Sequence, residues 1–193
     1  MKKIILSLAL ALGFSINTAF AEPVTYTIEK DHTSIEFYIN HLGFSNFQGE
    51  FQGFNGTIVF DKDKPENSSV SVTVDMNSVD TNVEELDNNL KGEKLFNVAK
   101  YPTMAFKSKS IKITGENTAL ITGDLTIIGV TKEMTLDTTL NKSAIHPRMN
   151  VPAIGLSAVG KIKRSDFGMT KWIPNIADEI SIRIETEAQA LKK

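Results

Sequence analysis

The chain has 193 residues, of which 21 are lysine or arginine and 23 are aspartate or glutamate, and it contains no cysteine. The positive and negative charges nearly cancel, and the sequence shows no basic patch of the kind that nucleic-acid binding requires. We therefore expect no nucleic-acid partner. Without cysteine there are no disulfides, thiol nucleophiles or thiolate-ligated metals, so an apolar core must hold a domain of this length together.

The first predicted element is a secretory signal peptide over residues 1–21. Two lysines precede an apolar run of thirteen residues, and the segment ends in Ala-Phe-Ala. This order is that of an export signal, and the apolar run is too short to span a bilayer as a stable helix. We expect cleavage between Ala21 and Glu22, a periplasmic location, and a single domain over residues 22–193.

About eight stretches of the remaining chain alternate apolar and polar side chains. This period of two is typical of half-buried antiparallel strands. The stretches are 35–40, 56–61, 70–76, 103–114, 119–128, 134–140, 153–163 and 180–185. Clusters of glycine, asparagine, aspartate and proline separate them, as turns do. The pattern predicts an all-β fold, either a closed barrel or a sandwich.

Residues 41–56 read HLGFSNFQGEFQGFNG and combine four phenylalanines with four glycines. The phenylalanines recur at helical intervals, at Phe44, Phe47, Phe51 and Phe54. Each glycine costs a helix about 1 kcal/mol relative to alanine, so we predict a strand end, a tight turn and the next strand instead. Two interpretations of the aromatic side chains stay open: they plug one end of a barrel, or they line an apolar cavity.

One segment, TNVEELDNNLKGEKLF from Thr81, departs from the strand pattern. Thr81 followed by Glu84 has the spacing of a capping box, and Gly92 is a suitable helix end. Apolar residues recur at helical spacing, at Val83, Leu86 and Leu90. We therefore predict one short helix with an apolar edge turned toward the sheet.

Several strings occur in a fixed order along the chain: DHTSIEFYINHLGFSNFQGEF, GTIVFD, MNSVDTNVEELDNNLKGEKLFNVAKYPTMAFKS, GDLTIIGVTKEMTLD and RSDFGM. Together they resemble the YceI-like family of periplasmic proteins, over about residues 25–188. The resemblance implies an extended antiparallel eight-stranded lipocalin-like barrel with one short helix packed beside it. It also implies an apolar tunnel that takes a polyisoprenoid or another long amphiphilic chain.

One pentapeptide departs from the family pattern. Similar sequences read Arg-Asp-x-His-Leu where this chain has Leu-Asp-Asn-Asn-Leu, so Leu86 stands in place of arginine and Asn89 in place of histidine. If the missing pair meets the polar head of the ligand in the family, the ligand here is a neutral or weakly polar chain.

From apolarity and position near a barrel mouth we predict nine ligand-binding residues. They are Phe37, Phe44, Phe47, Phe51, Phe54, Leu86, Leu90, Phe96 and Trp172. We expect an isoprenoid or isoprenoid quinone as the ligand, no other cofactor, a transient contact with the inner membrane, and a monomer or homodimer. Burial contributes about 0.8 kcal/mol per methylene-sized group, so a long isoprenoid gains much from such a cavity.

Other chemistry has weak support in the sequence. His32, His41 and His146 lack the spacing of metal ligands, and no Gly-x-Ser-x-Gly motif is present. We predict neither catalytic nor metal-binding residues. Arg164 is expected to pair with a carboxylate of the protein or to meet a ligand head group, the former being favoured. Two alternatives stay open: a filled barrel that binds another envelope protein, and an enzyme that modifies a lipid in the cavity.

Overall fold

A computed structural model describes residues 22–191, so the predicted signal peptide lies outside the described residues. The elements in chain order are β1 (Val24–Ile28), β2 (Ser34–His41), β3 (Ser45–Phe51), β4 (Phe54–Phe60), β5 (Ser69–Asp75), β6 (Val79–Asp80), α1 (Glu84–Lys91), β7 (Thr103–Ile113), β8 (Thr118–Ile127), β9 (Val130–Ile145), β10 (Pro152–Lys163) and β11 (Ile176–Ala190). Within this range no helix is both long enough and apolar enough to cross a bilayer.

The sheet closes on itself as an antiparallel barrel. Strands β1, β4, β5, β7, β8, β9, β10 and β11 follow one another in the sheet, and β1 pairs again with β11. This ring of eight strands confirms the predicted lipocalin-like architecture. Closure leaves no free edge in the ring, which removes the hazard that an open sheet edge presents.

Three strands of the barrel are composite, because the chain interrupts them and then resumes along the same line. β1 and β2 lie end to end against β11, through Ala188–Ala190 for β1 and Ile176–Glu185 for β2. β4 and β3 continue one another beside them, and β5 and β6 form the next line. The barrel is therefore still eight strands wide, although eleven separate strands build it.

Alternation along each strand places one set of side chains inside the barrel. In β8, Ile121, Leu125 and Ile127 are buried, while the intervening threonines and aspartate are more exposed. β2 shows the same alternation: Ile35, Phe37 and Ile39 point into the barrel, as expected when every second side chain of a strand lies on one face. The period-two pattern of the sequence thus identified the interior side chains correctly.

The two ends of the barrel differ in their connections. At the end that we call upper lie the two-residue turns Leu42-Gly43 and Ile128-Gly129, the segment 81–102 with α1, and the loop 164–175. Both residues of each turn have positive φ, which is the conformation that suits a tight β-hairpin. At the lower end the connections are 61–68, 114–117 and 146–151.

The helix begins differently from the prediction. Its N-cap is Val83, which makes no side-chain cap, so the predicted capping box between Thr81 and Glu84 is wrong. The Thr81 hydroxyl and amide instead donate to the carboxylate of Asp87, at 2.6 and 2.9 Å. Asp87 accepts both hydrogen bonds from within the helix, and this pairing takes the place of the capping box. The predicted end at Gly92 is confirmed.

Two apolar clusters divide the interior along the barrel axis. The larger one contains inward side chains of the upper and middle barrel together with Leu95 and Phe96 of the segment after α1. The smaller one lies at the lower end and joins Tyr26, Ile58, Ile154 and Ala188, which are at most 5 % exposed. This lower cluster fills the barrel base, and open space is left above it.

Candidate functional site

A cavity of about 670 Å³ occupies the barrel above the lower cluster. Apolar side chains from nearly every strand form its wall, including Ile121, Leu125, Met134, Leu136 and Ile182. Leu86, Leu90 and Phe96 from the segment around α1 close part of its upper end. The prediction left open whether the barrel is hollow or filled by its own side chains; the structure has it hollow.

Three aromatic rings form a contiguous strip along one side of the cavity. The ring centroids of Phe37 and Phe51 are 5.7 Å apart, and those of Phe51 and Phe96 are 5.9 Å apart, all in tilted arrangements. Such tilted pairs at this distance are favourable beyond their buried area. The strip ties β2 and β3 to the segment that follows α1, so it fixes the position of the helix over the barrel.

Seven of the nine residues predicted to bind ligand line the cavity. They are Phe37, Phe47, Phe51, Leu86, Leu90, Phe96 and Trp172. The structure brings them together from four separate parts of the chain. Their contact with a ligand remains a prediction.

Phe44 and Phe54 do not line the cavity. Phe44 follows the Leu42-Gly43 turn and is 90 % exposed, because the turn ends before it and the inward positions of β3 are the odd-numbered ones. Phe54 is only 3 % exposed and packs in the core at the start of β4, where the chain has bent after Phe51. The prediction rested on apolarity and position near the barrel mouth, which do not distinguish these two residues from the others. Phe44 lies in the connection between β2 and β3, and Phe54 lies in a different strand.

Aliphatic residues supply most of the cavity wall, and the prediction missed them by selecting aromatic ones. Met76, Met104, Met134 and Leu136 line the cavity along with isoleucines of β8, β10 and β11. The sequence did indicate them, because they occupy the apolar positions of strands in which apolar and polar residues alternate. Methionine side chains adapt their shape readily, which suits a wall against a flexible chain.

The buried polar side chains of the cavity wall form hydrogen bonds within the protein. Of the four buried polar or charged residues, Thr81, Thr138 and Arg164 line the cavity and Asp61 does not. Each accepts or donates hydrogen bonds within the protein, and in residues 22–191 no buried side-chain nitrogen or oxygen lacks a partner. The buried wall therefore offers a ligand apolar contact and no waiting polar group.

Arg164 has a structural role in the wall. Its guanidinium donates to the carbonyl oxygens of Met169, Lys171, Ile176 and Ala177 at 2.7–3.0 Å, although the residue is only 4 % exposed. Burial lowers the pKa of Arg164, and the nearby carboxylate of Asp178 partly offsets this. A structural role was the favoured expectation, but the predicted carboxylate partner is replaced by these four backbone carbonyls.

The carboxylate of Asp178 anchors the start of the same loop. The side chain and the backbone amide of Ser165 donate to it at 2.7 and 2.8 Å, and these two bonds hold the pKa of Asp178 below its ordinary value. Gly168 ends the short 3-10 turn with φ +84°, a left-handed conformation that glycine adopts readily. Arg164 and Asp178 together fix the loop 168–175 at the upper end.

The cavity opens at the upper end, where two of its apolar lining residues reach solvent. Leu42 is 51 % exposed and Trp172 is 45 % exposed, and both also line the cavity. His41 and Asn175 add polar groups to the lining at this level. The amide of Leu42 donates to the Asn175 carbonyl at 3.2 Å, which joins the β2–β3 turn to the loop before β11.

The altered pentapeptide places one of its two replacements at the cavity. Leu86 lines the cavity, so the wall is apolar where similar sequences have arginine. The Asn89 side chain donates to the Glu85 carbonyl at 3.0 Å on the helix surface and does not line the cavity. The part of the chain that the structure describes has no group of three or more potential metal ligands.

A closed antiparallel barrel around an apolar cavity, open at one end, defines the lipocalin-like class of β-barrel proteins. The model of the YceI-like domain matches residues 26–188, and the chain therefore belongs to the YceI-like family.

Named relatives support this membership. Protein YceI of Salmonella arizonae is 39% identical over 188 residues, which cover 97% of both chains. The YCEI protein of Campylobacter jejuni is 34% identical, with a TM-score of 0.73 over 79% of this chain and 90% of that one. A polyisoprenoid binding domain from Saccharophagus degradans has a TM-score of 0.67 over 87% of this chain and 99% of that one. At 13% identity, this last likeness concerns the fold alone.

Proposed function

We propose that this protein is a periplasmic binding protein that holds one long-chain amphiphilic lipid in its barrel, for transport, storage or sequestration. The ligand class that fits is a polyisoprenoid or an isoprenoid quinone. The barrel from Saccharophagus degradans, which has the same fold, is described as a polyisoprenoid binding domain. Export follows from the signal peptide predicted over residues 1–21.

The observation that carries the proposal is a large cavity with an apolar wall. At about 30 Å³ per water molecule, a volume of about 670 Å³ would hold on the order of twenty waters. Ordered water needs two to four polar partners, and the wall of isoleucine, leucine, methionine and phenylalanine supplies few. An apolar chain gains about 0.8 kcal/mol per buried methylene in the same space, less the cost of ordering it.

The distribution of polar groups gives the ligand an orientation. The lower cluster is apolar, whereas His41 and Asn175 line the cavity near its opening. Deeper in the wall, the hydroxyls of Thr33 and Thr186 hydrogen-bond to each other, and Thr138 donates to a backbone carbonyl. A ligand placed with its tail toward the base and a weakly polar end beside His41 and Asn175 leaves no polar group buried without a partner. Leu86 in place of arginine favours a neutral end, such as an alcohol or a quinone ring, over a phosphate.

Native mass spectrometry of the protein purified from the periplasm without detergent tests the proposal. A stoichiometric adduct, identified by organic extraction and lipid mass analysis, is the expected result. The periplasmic fraction itself tests the location, and the intact mass tests the cleavage between Ala21 and Glu22. A protein that arrives empty and also refuses added isoprenoids would contradict the proposal and favour a protein-interaction module of the cell envelope.

Binding without covalent chemistry is the form that the cavity favours. A lipid-modifying enzyme would need reactive polar groups deep in the barrel. Thr138, a buried polar side chain of that wall, donates to the Leu136 carbonyl at 3.4 Å. No observation on the residues 22–191 favours the enzyme alternative.

A further inference from the structure

Two loops at the upper end present apolar side chains to solvent beside the cavity opening. We call Leu42, Phe44, Lys171 and Trp172 the rim patch. Phe44 is 90 % exposed and makes no part of the cavity wall, while Leu42 and Trp172 belong both to the wall and to the surface. The apolar surface is therefore continuous from the cavity to the outside.

The rim patch is nearly free of charge. Residues 40–46 and 168–175 include one charged side chain, that of Lys171, and no carboxylate, although the chain has 23 acidic residues. The ammonium of Lys171 lies 3.8 Å from the ring centroid of Trp172, within the range of a cation–π interaction. A surface of this kind can lose water without burying a negative charge.

Both exposed residues that join the cavity to the surface adopt an unfavourable backbone conformation. The φ angles of Leu42 and Trp172 are +55° and +66°. The left-handed region disfavours bulky side chains, and glycine or asparagine is the usual choice there. About half of each side chain is exposed, so the folded protein gains only part of the packing that full burial would give. Such outliers point to a role outside the isolated fold.

The rest of the surface near either end lacks this combination. The lower end also exposes apolar side chains, Ile145 and Met149, but its connection 61–68 contains five charged residues. The helix on the other side of the upper end has three carboxylates in its first turns. Among residues 22–191, the exposed large apolar side chains that also line the cavity are those of Leu42 and Trp172.

We propose that the rim patch docks on the surface of a lipid bilayer, so that the cavity opens against the membrane that supplies or receives its ligand. Tryptophan with an adjacent lysine is well suited to the interface, where the ring meets acyl chains and the cation meets head groups. Phe44 and Leu42 add apolar area that inserts to a shallow depth. The inference rests on the proposed function, because a bilayer is the reservoir of long-chain lipids.

Trp172 is the single tryptophan of the chain, so its fluorescence reports on the rim and the adjoining cavity wall, and substitution of Phe44, which lies outside the wall, separates docking from lipid uptake. The test adds vesicles of phosphatidylethanolamine and phosphatidylglycerol that contain brominated lipid, which quenches tryptophan on contact with the acyl region. We expect quenching that rises and saturates with vesicle concentration. Phe44→Ser should need about tenfold more vesicles for half-maximal quenching, since it removes one inserted aromatic side chain.

Ile145→Ser is the matched control, because it removes an exposed apolar side chain of similar kind at the opposite end. We expect wild-type quenching from this variant. All variants share one N-terminus, so the segment before residue 22 cannot cause a difference between them. Circular dichroism and thermal unfolding establish that each is folded.

Absence of quenching in the wild type, or equal quenching in Phe44→Ser and wild type, would overturn docking through the rim patch. These outcomes are separable from the fate of the proposed function, which extraction of bound lipid tests independently. If the protein carries an isoprenoid yet shows no quenching, the docking proposal is wrong and the ligand proposal stands. Quenching by a protein that refuses isoprenoids supports docking and removes the ligand proposal.

Discussion

Phe37 lies directly opposite Gly49 in the β2–β3 pair, and its ring occupies the space that a Cβ at Gly49 would take. The ring can lie across the strand only because glycine has no side chain. From this position it meets Phe51 with a centroid separation of 5.7 Å and begins the aromatic strip of the cavity wall. Glycine at position 49 of β3 thus determines the position of the Phe37 ring in the neighbouring strand β2.

Gly49→Ala should therefore push the Phe37 ring out of place. We expect the free energy of unfolding to fall by about 1–3 kcal/mol, the usual effect of overpacking, and retained lipid to decrease. Denaturant titration and lipid extraction measure the two effects. Gly155→Ala is the control, since a Cβ there would meet its nearest atom at 3.9 Å. Equal stability of the two variants would show that Phe37 relaxes freely.

Phe47→Asp should abolish lipid retention while the barrel stays folded. Phe47 lines the cavity but is only half-buried, so a carboxylate there reaches water in the empty protein and opposes an apolar ligand. Gln48→Asp introduces the same charge one residue later, on the exposed face of β3. We expect Gln48→Asp to retain lipid, as judged by native mass spectrometry. Retention by folded Phe47→Asp would remove that residue from the site.

Arg164→Met should destabilise the protein by at least about 3 kcal/mol. The substitution leaves four buried or half-buried carbonyl oxygens without their donor, and each such loss costs on the order of 1 kcal/mol or more. Arg183→Met is the comparison, because Arg183 is 56% exposed and pairs with Glu185 at the surface. We expect a change of at most about 0.5 kcal/mol there, measured by denaturant unfolding. Similar losses would argue against a special role of Arg164.

Asp178 should contribute to a loss of stability in acid. Hydrogen bonds from the Ser165 side chain and amide depress its pKa, so the folded-state pKa is lower than the unfolded-state pKa of about 3.9. The contribution is complete above the unfolded-state pKa and is lost as the pH falls through the folded-state pKa. The stability difference between wild type and Asp178→Asn should therefore shrink below about pH 4. A difference independent of pH would mean that the charge is irrelevant.

Leu42→Asn should make the fold more stable and the membrane contact weaker. Asparagine followed by glycine is the preferred pair for a turn in which both residues have positive φ, so unfolding should become up to about 1 kcal/mol harder. The same change removes an apolar side chain from the rim patch. Thermal unfolding and the Trp172 quenching assay measure the two effects.

Leu42→Ala separates the two contributions of Leu42, because it removes the apolar side chain without the turn preference of asparagine. We expect weaker quenching and no gain in stability. If Leu42→Asn gained stability and also kept wild-type quenching, Leu42 would have no part in docking.

The fold could be predicted from the sequence because side chains along each barrel strand alternate between the apolar interior and the surface. Ile121, Leu125 and Ile127 alternate with polar residues, and their burial follows that alternation directly. The breaks within composite strands were harder to foresee. Residues 52–53 bend the chain between β3 and β4 within one line of the barrel, and local composition does not say on which line the chain resumes.

The site was only partly predictable, for a related reason. Phe44 and Phe47 look alike in the sequence, but a two-residue turn puts one outside and the other in the cavity wall. Thr81 and Glu84 had the right spacing for a cap, yet Asp87 competes successfully for the Thr81 hydroxyl. These outcomes depend on which hydrogen-bonding groups and surfaces the tertiary fold brings close to each residue. Spacing along the sequence does not contain this information.

The apolar cluster at the lower end closes the base of the cavity, so the cavity has a fixed depth. A chain-like ligand held in this cavity would enter and leave by the same opening, so the end that went in first would come out last. Chains up to that depth would gain stability with each added carbon, whereas any further length would stay outside the upper end. A barrel closed by Tyr26, Ile58, Ile154 and Ala188 would thus measure the length of the molecule that it holds.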